Sequence, residues 1–116
     1  MEKIIITLVL CFFACPVVAG DEQVQSEIDH LMNYIQNSNC KFIRNGEAYR
    51  SEKALKHILK KYDHFKAQIK TAEEFIDLCA TKSILSNQLY KIECPDQEWV
   101  ESKYWLLEEL KRFRNN

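Results

Sequence analysis

The sequence predicts an α+β fold, mainly helical, with about four helices around a small two-stranded antiparallel ribbon. Three observations lead there. Only two Gly and two Pro occur in 116 residues, too few for a strand-and-turn barrel. Several segments carry apolar residues at helical spacing. Two short segments, at Cys40–Arg44 and Tyr90–Cys94, instead read as strands.

The first helix is expected to start near Asp21. Val24, Ile28, Leu31, Met32 and Ile35 form its apolar stripe, and Asp21 and Glu22 suit the positive end of its dipole. Asn37-Ser38-Asn39 ends it. Phe42 and Ile43 lie in a short extended segment that stops at Asn45-Gly46, a dipeptide that takes positive φ readily. Ser51 reads as the next N-cap, with Leu55, Ile58, Leu59, Tyr62 and Phe65 as the second helix's apolar stripe. Thr71-Ala72-Glu73-Glu74 has the capping-box pattern and opens a third helix carrying Phe75, Ile76, Cys79 and Ala80. Ser83 to Gln88 is polar and irregular. Tyr90, Ile92 and Cys94 alternate with Lys91 and Glu93, as in a half-buried strand. After Pro95, Asp96 is placed to cap a fourth helix. Its apolar face is Trp99, Val100, Tyr104, Leu106, Leu107, Leu110 and Phe113, with Lys111, Arg112 and Arg114 at the negative end of its dipole.

Residues 1–20 stand apart. Lys3 precedes an uncharged run from Ile4 to Ala14, Pro16 breaks it, and Val17-Val18-Ala19 offers modest side chains for a signal peptidase. The run is too short to span a bilayer, which takes about twenty apolar residues. The expectation is a signal peptide cleaved after Ala19 or Gly20, leaving residues 21–116 as one periplasmic or secreted domain without a membrane span. A lipoprotein anchored through Cys15 is the alternative.

Charge is balanced overall, with 16 basic and 17 acidic side chains, but segregated along the chain. Residues 21–40 carry only acids, while residues 41–70 are strongly basic. Near-neutrality gives no reason to expect a nucleic-acid partner. Loss of the leader leaves Cys40, Cys79 and Cys94, of which two can pair in an oxidising compartment. Cys40–Cys94 is the preferred bond, because each borders a strand and antiparallel pairing sets residue 40 opposite residue 94. Pairings through Cys79 are the alternatives.

The run Cys40-Lys-Phe-Ile-Arg-Asn-Gly46, with Tyr49, Ala54-Leu-Lys-His57, Lys61, Thr71-Ala-Glu-Glu-Phe-Ile76, Ala80, Ser83 and Tyr90, resembles the YfeK-like family of small bacterial envelope proteins. The similarity runs from about residue 28 to residue 107, and its blocks are specific as a set. The resemblance implies a periplasmic home but brings no reaction, cofactor or ligand. This chain departs from the family's Ser-Gly-x-Pro-Tyr pattern at Ser86-Asn87-Gln88-Leu89-Tyr90. Asn87 stands where Gly would be, and Asn tolerates a left-handed turn.

The polar residues within these blocks are the candidates for chemistry. Arg44, Asn45, His57 and Lys61 could gather where the Asn45-Gly46 turn meets the second helix, and cationic and amide donors there would suit an anion. In the competing structural reading, Arg44 and Lys61 pair with acids such as Glu73, and His57 donates to a backbone carbonyl. Lys53, Lys56 and Lys60 read as a solvated row on the far face of that helix. His30, His57 and His64 lack metal-ligand spacing, so no metal and no cofactor is expected. No strained serine elbow, activated cysteine or placed pair of acids supports an enzyme. The leading reading is a non-catalytic binding or interaction module for an envelope protein or an anionic envelope ligand. The alternatives are an inhibitor of an envelope hydrolase acting through Ser83 to Leu89, and a small hydrolase.

Overall fold

The computed structural model describes residues 16–116. The expected leader thus lies outside the described residues except for its last turn, and Cys15 lies wholly outside them. Four helices, α1 (Pro16–Asn37), α2 (Ser51–Phe65), α3 (Ala72–Cys79) and α4 (Ser102–Arg114), pack with a sheet of β1 (Lys41–Arg44), β2 (Glu47–Tyr49), β3 (Lys91–Glu93) and β4 (Val100–Glu101). No described helix is long and apolar enough to cross a membrane.

The expected ribbon is the centre of a wider sheet. Its strand order is β2-β1-β3-β4, every pair antiparallel. Two turns add the outer strands. Asn45 and Gly46 take φ of 53° and 81°, the doubly left-handed turn that folds Glu47–Tyr49 back onto β1. Pro95 with Asp96 at φ 60°, closed by the Gln97 N–H donating to the Cys94 carbonyl, returns the chain so that Val100 pairs with Ile92. Asp96 therefore turns the chain and caps no helix, and α4 starts at Ser102, five residues later than expected. Trp99, Val100 and Tyr104 are exposed and do not form its buried face.

The helix stripes supply the core. Ile28, Leu31 and Ile35 of α1, Phe75, Ile76 and Cys79 of α3, and Leu106 and Leu110 of α4 are fully buried around Phe42 and Ile92 of the sheet. Burying an aliphatic or aromatic side chain of this size is worth about 1.5–3 kcal/mol. The start of α1 at Pro16 puts Asp21 and Glu22 beyond the first turn, away from the dipole's positive end. The α2 surface is rotated relative to the expected stripe: Ala54, Ile58 and Lys61 are buried, while Leu59 is exposed. Ser51 lies inside α2 and donates to the Gln36 carbonyl at the end of α1, so it joins two helices instead of capping one. Thr71 does cap α3, accepting from the Glu74 N–H, and the Glu74 carboxylate accepts in return from the Lys70 N–H.

Lys41 pairs with Glu93 and Phe42 with Ile92, so the next position outward sets Cys40 opposite Cys94. They form a disulfide across 54 residues, and Cys79 is free and buried.

Candidate functional site

The β1–β2 hairpin and α2 enclose a cleft of about 250 Å³. The two-residue turn decides what lines it, because it sets Arg44 opposite Glu47 and Phe42 opposite Tyr49. Phe42, Ile43, Arg44 and Tyr49 come from the hairpin; Lys53, Ala54, Lys56, His57, Ile58 and Lys60 come from α2; Tyr90 closes the end toward β3. Phe42, Ala54, Ile58 and Tyr90 are buried and make an apolar floor. Arg44 lies 5.8 Å and Lys53 5.4 Å from the centre of the Tyr49 ring, a spacing at which the ring face attracts both cations. Among the described residues, no carboxylate lines the cleft.

Of the four predicted site residues, the structure brings Arg44 and His57 into this one cavity. Lys61 lies behind it, buried, donating to the Lys82 carbonyl at 2.7 Å and the Tyr90 hydroxyl at 2.8 Å. Its ammonium thereby fixes the chain segment that carries Tyr90. Asn45 sits at the exposed turn, where its side-chain oxygen accepts a hydrogen bond from the Ser86 hydroxyl. That contact ties the hairpin to the 83–89 loop, whose Asn87 takes the left-handed turn at φ 63°. Lys53, Lys56 and Lys60 are exposed but not on a far face. Their i, i+3, i+7 spacing surrounds His57 on the side of α2 that borders the cleft.

The electrostatics follow from crowding cations together. Burial, then the charges of Arg44, Lys61 and Lys60, holds His57 below its ordinary value, which favours the neutral ring. Burial lowers Lys61 as well, and it raises Tyr90 against the opposing pull of Arg44. Burial pushes the Cys79 thiol up to about 11 despite the Lys61 charge, leaving it a poor nucleophile. The Arg44 Nε is buried with no hydrogen-bond partner within the protein.

A second polar cluster, unforeseen from the sequence, joins α1, α3 and α4. Arg114 donates two hydrogen bonds of 2.9 Å to buried Glu27 and bonds of 2.6 and 3.0 Å to Glu73. Buried Glu109 accepts from Arg112 at 2.7 Å and lies 2.6 Å from the His30 Nε2, whose ring stacks on Phe113. Hydrogen bonds from Arg114 hold Glu27 and Glu73 below the usual carboxylate range. Burial raises Glu109, but the bonds from Arg112 and His30 outweigh it and the net shift is downward. Glu73, expected as a partner for Arg44 or Lys61, is thus committed elsewhere. The Glu27–Arg114 pair spans 87 residues, and no local pattern foretells it.

Residues 22–114, from the second turn of α1 to the end of α4, match the family of unknown function DUF5329. The chain belongs to that family. The uncharacterized protein YfeK of Salmonella typhimurium (strain LT2) is 30% identical over 92 residues, covering 78% of this chain and 77% of that one. No solved structure matches. For this DUF5329 chain the resemblance to YfeK-like proteins therefore stands, and the cleft's chemistry has to be read from its own residues.

Proposed function

We propose that this chain works outside the cytoplasm, after loss of residues 1–20, as a non-catalytic binding module whose α2–hairpin cleft takes an anionic ligand of the cell envelope. One observation carries the reading: a cleft lined by Arg44, Lys53, Lys56 and Lys60 has no carboxylate among its lining residues, and beside it Glu47 accepts from the Tyr49 hydroxyl at 3.0 Å, one acid against four cations. Like charges gathered in excess cost stability, and a bound anion relieves that cost. The Cys40–Cys94 disulfide supports an oxidising compartment. Cys79, buried and held protonated, offers no nucleophile, and the Ser83 hydroxyl is engaged within its own loop by the Ser86 N–H.

The test compares the wild type with Arg44→Gln/Lys56→Gln. Crosslinking in intact cells followed by co-purification is expected to capture envelope material with the wild type and at least tenfold less with the variant, at equal melting temperature. Equal capture by both would remove the cleft from the interaction. Intact mass of the protein from the periplasmic fraction should correspond to a start at residue 20 or 21. Full-length, thiol-reduced protein in the cytosol would contradict export.

A second reading, an inhibitor of an envelope hydrolase, draws on the 83–89 loop. Ile84 is 63% and Leu85 96% exposed, on a loop closed by Ser83–Gln88 and Asn87–Ser83 backbone hydrogen bonds and by the Lys82–Leu89 bridge. A pinned loop with apolar tips is suited to enter another protein's cleft. Leu85→Asp leaves the cationic cleft untouched, so a variant that still inhibits an envelope hydrolase as strongly as the wild type would dismiss this reading.

A further inference from the structure

We infer that the cleft's ligand is a small amphiphilic carboxylate: an apolar body of up to about ten non-hydrogen atoms seated on the floor, with the anionic head at the rim. The inference rests on the binding reading above and sharpens it. Three features of the cavity select that chemistry.

Size comes first. An apolar cavity of about 150 Å³ accommodates benzene. The 250 Å³ here scales to about ten non-hydrogen atoms, the size of a medium-length alkyl carboxylate or a single substituted ring. A polymer would meet the cleft only at its mouth.

The walls come second. Phe42, Ala54 and Ile58 are buried beneath the cavity, and Ile43 and Tyr49 complete an apolar surface. Inorganic phosphate or a sugar phosphate would leave that surface unused, and water in contact with it gains nothing. A hydrocarbon body gains about fourfold in affinity for each methylene transferred there.

The head group comes third. Arg44 lines the cavity, and no carboxylate of the lining engages its guanidinium. A carboxylate is the acceptor whose planar geometry matches a guanidinium edge. Lys53, beside the same Tyr49 ring as Arg44, adds a second cation to that end of the site. A neutral alcohol would satisfy one donor and leave the cations uncompensated. An ammonium head would be repelled.

Calorimetric titration of the purified, disulfide-bonded protein with butanoate, hexanoate, octanoate and dodecanoate, and with octan-1-ol, octylammonium and inorganic phosphate, tests this. Affinity is expected to rise several-fold per added methylene up to octanoate and to level off before dodecanoate, where the floor is full. Octanol should bind at least tenfold more weakly than octanoate, and octylammonium not at all. Arg44→Gln, checked for an unchanged circular dichroism spectrum, should lose at least tenfold for octanoate and little for octanol. Octanoate should also raise the His57 titration midpoint in NMR, because a bound anion offsets the cations that depress it.

Inorganic phosphate binding as tightly as octanoate, with no dependence on chain length, would overturn the amphiphile and leave the anion-binding module standing. Octanol equal to octanoate would overturn the head-group assignment. Binding by none of the probes, with the His57 midpoint unmoved, would overturn both the amphiphile and the binding reading of the cleft.

Discussion

At the α1–α4 end of the molecule Arg114 divides its guanidinium between Glu27 and Glu73, and Glu109 is held between Arg112 and His30. Between the hairpin and α2, by contrast, Arg44, Lys53, Lys56, His57 and Lys60 gather over an apolar floor with no carboxylate among the residues that line it. Both regions concentrate ionisable groups at helix surfaces, yet only the first is complete in itself. Charges that serve the fold are compensated within it, as buried carboxylates must be. A cationic set left in excess beside an apolar cavity is better suited to serve something outside it. The difference gives each region its own signature under perturbation.

The largest effect concerns the sheet that carries the cleft. Replacing Cys40 and Cys94 together by Ser releases a closure of 54 residues and is expected to cost about 4 kcal/mol in denaturant unfolding. Native protein without its leader should resist alkylation, since its free thiol, Cys79, is buried and held protonated. One adduct is expected in denaturant, and three once the disulfide is reduced (one free plus two bonded cysteines). An adduct on Cys79 in the native state would contradict its packing.

Next comes the compensated cluster. Arg114→Ala strands the buried Glu27 carboxylate and should cost about 3 kcal/mol, measured by urea unfolding. A loss under 1 kcal/mol would mean that this network resembles an exposed surface pair.

A smaller effect separates the regions by pH. Glu27, Glu73 and Glu109 are all held below the ordinary carboxylate value of 4.5. The unfolded chain therefore takes up their protons first, and the stability they contribute is present above that value and lost as pH falls through the folded values. His57 is likewise depressed, from 6.5, so the unfolded chain protonates there first too, and stability declines on acidification from about that pH. Melting temperature should thus fall in two windows. His57→Gln should flatten the upper one, and Arg114→Ala the lower. A single transition unaffected by His57→Gln would show that the cleft does not crowd the imidazole.

Much of this architecture was legible in the sequence, and the failures are instructive. Ile28, Leu31 and Ile35, and Phe75, Ile76 and Cys79, declared their burial through spacing alone, and strand alternation placed Cys40 opposite Cys94. The outer strands are not legible because Glu47-Ala48-Tyr49 and Val100-Glu101 are too short to alternate visibly. Trp99, Val100 and Tyr104 read as a helix face because nothing local signals that Pro95-Asp96 returns the chain to the sheet edge. In the cleft, Arg44 and His57 are marked in the sequence by their place in distinctive blocks, and they line one cavity. A helical wheel sets the lysine row on a far face because it holds no information on where the hairpin lies. Lys61 was grouped with them by its position one turn from His57, though burial gives it the task of holding Lys82 and Tyr90.

If the cleft's charges do not support the fold, the melting temperature of Arg44→Gln at low ionic strength will reveal it. Removing one cation from an uncompensated group should leave the midpoint unchanged or raise it slightly. A fall comparable to that of Arg114→Ala would show that Arg44 belongs to the scaffold, and the cleft would lose its claim to a ligand.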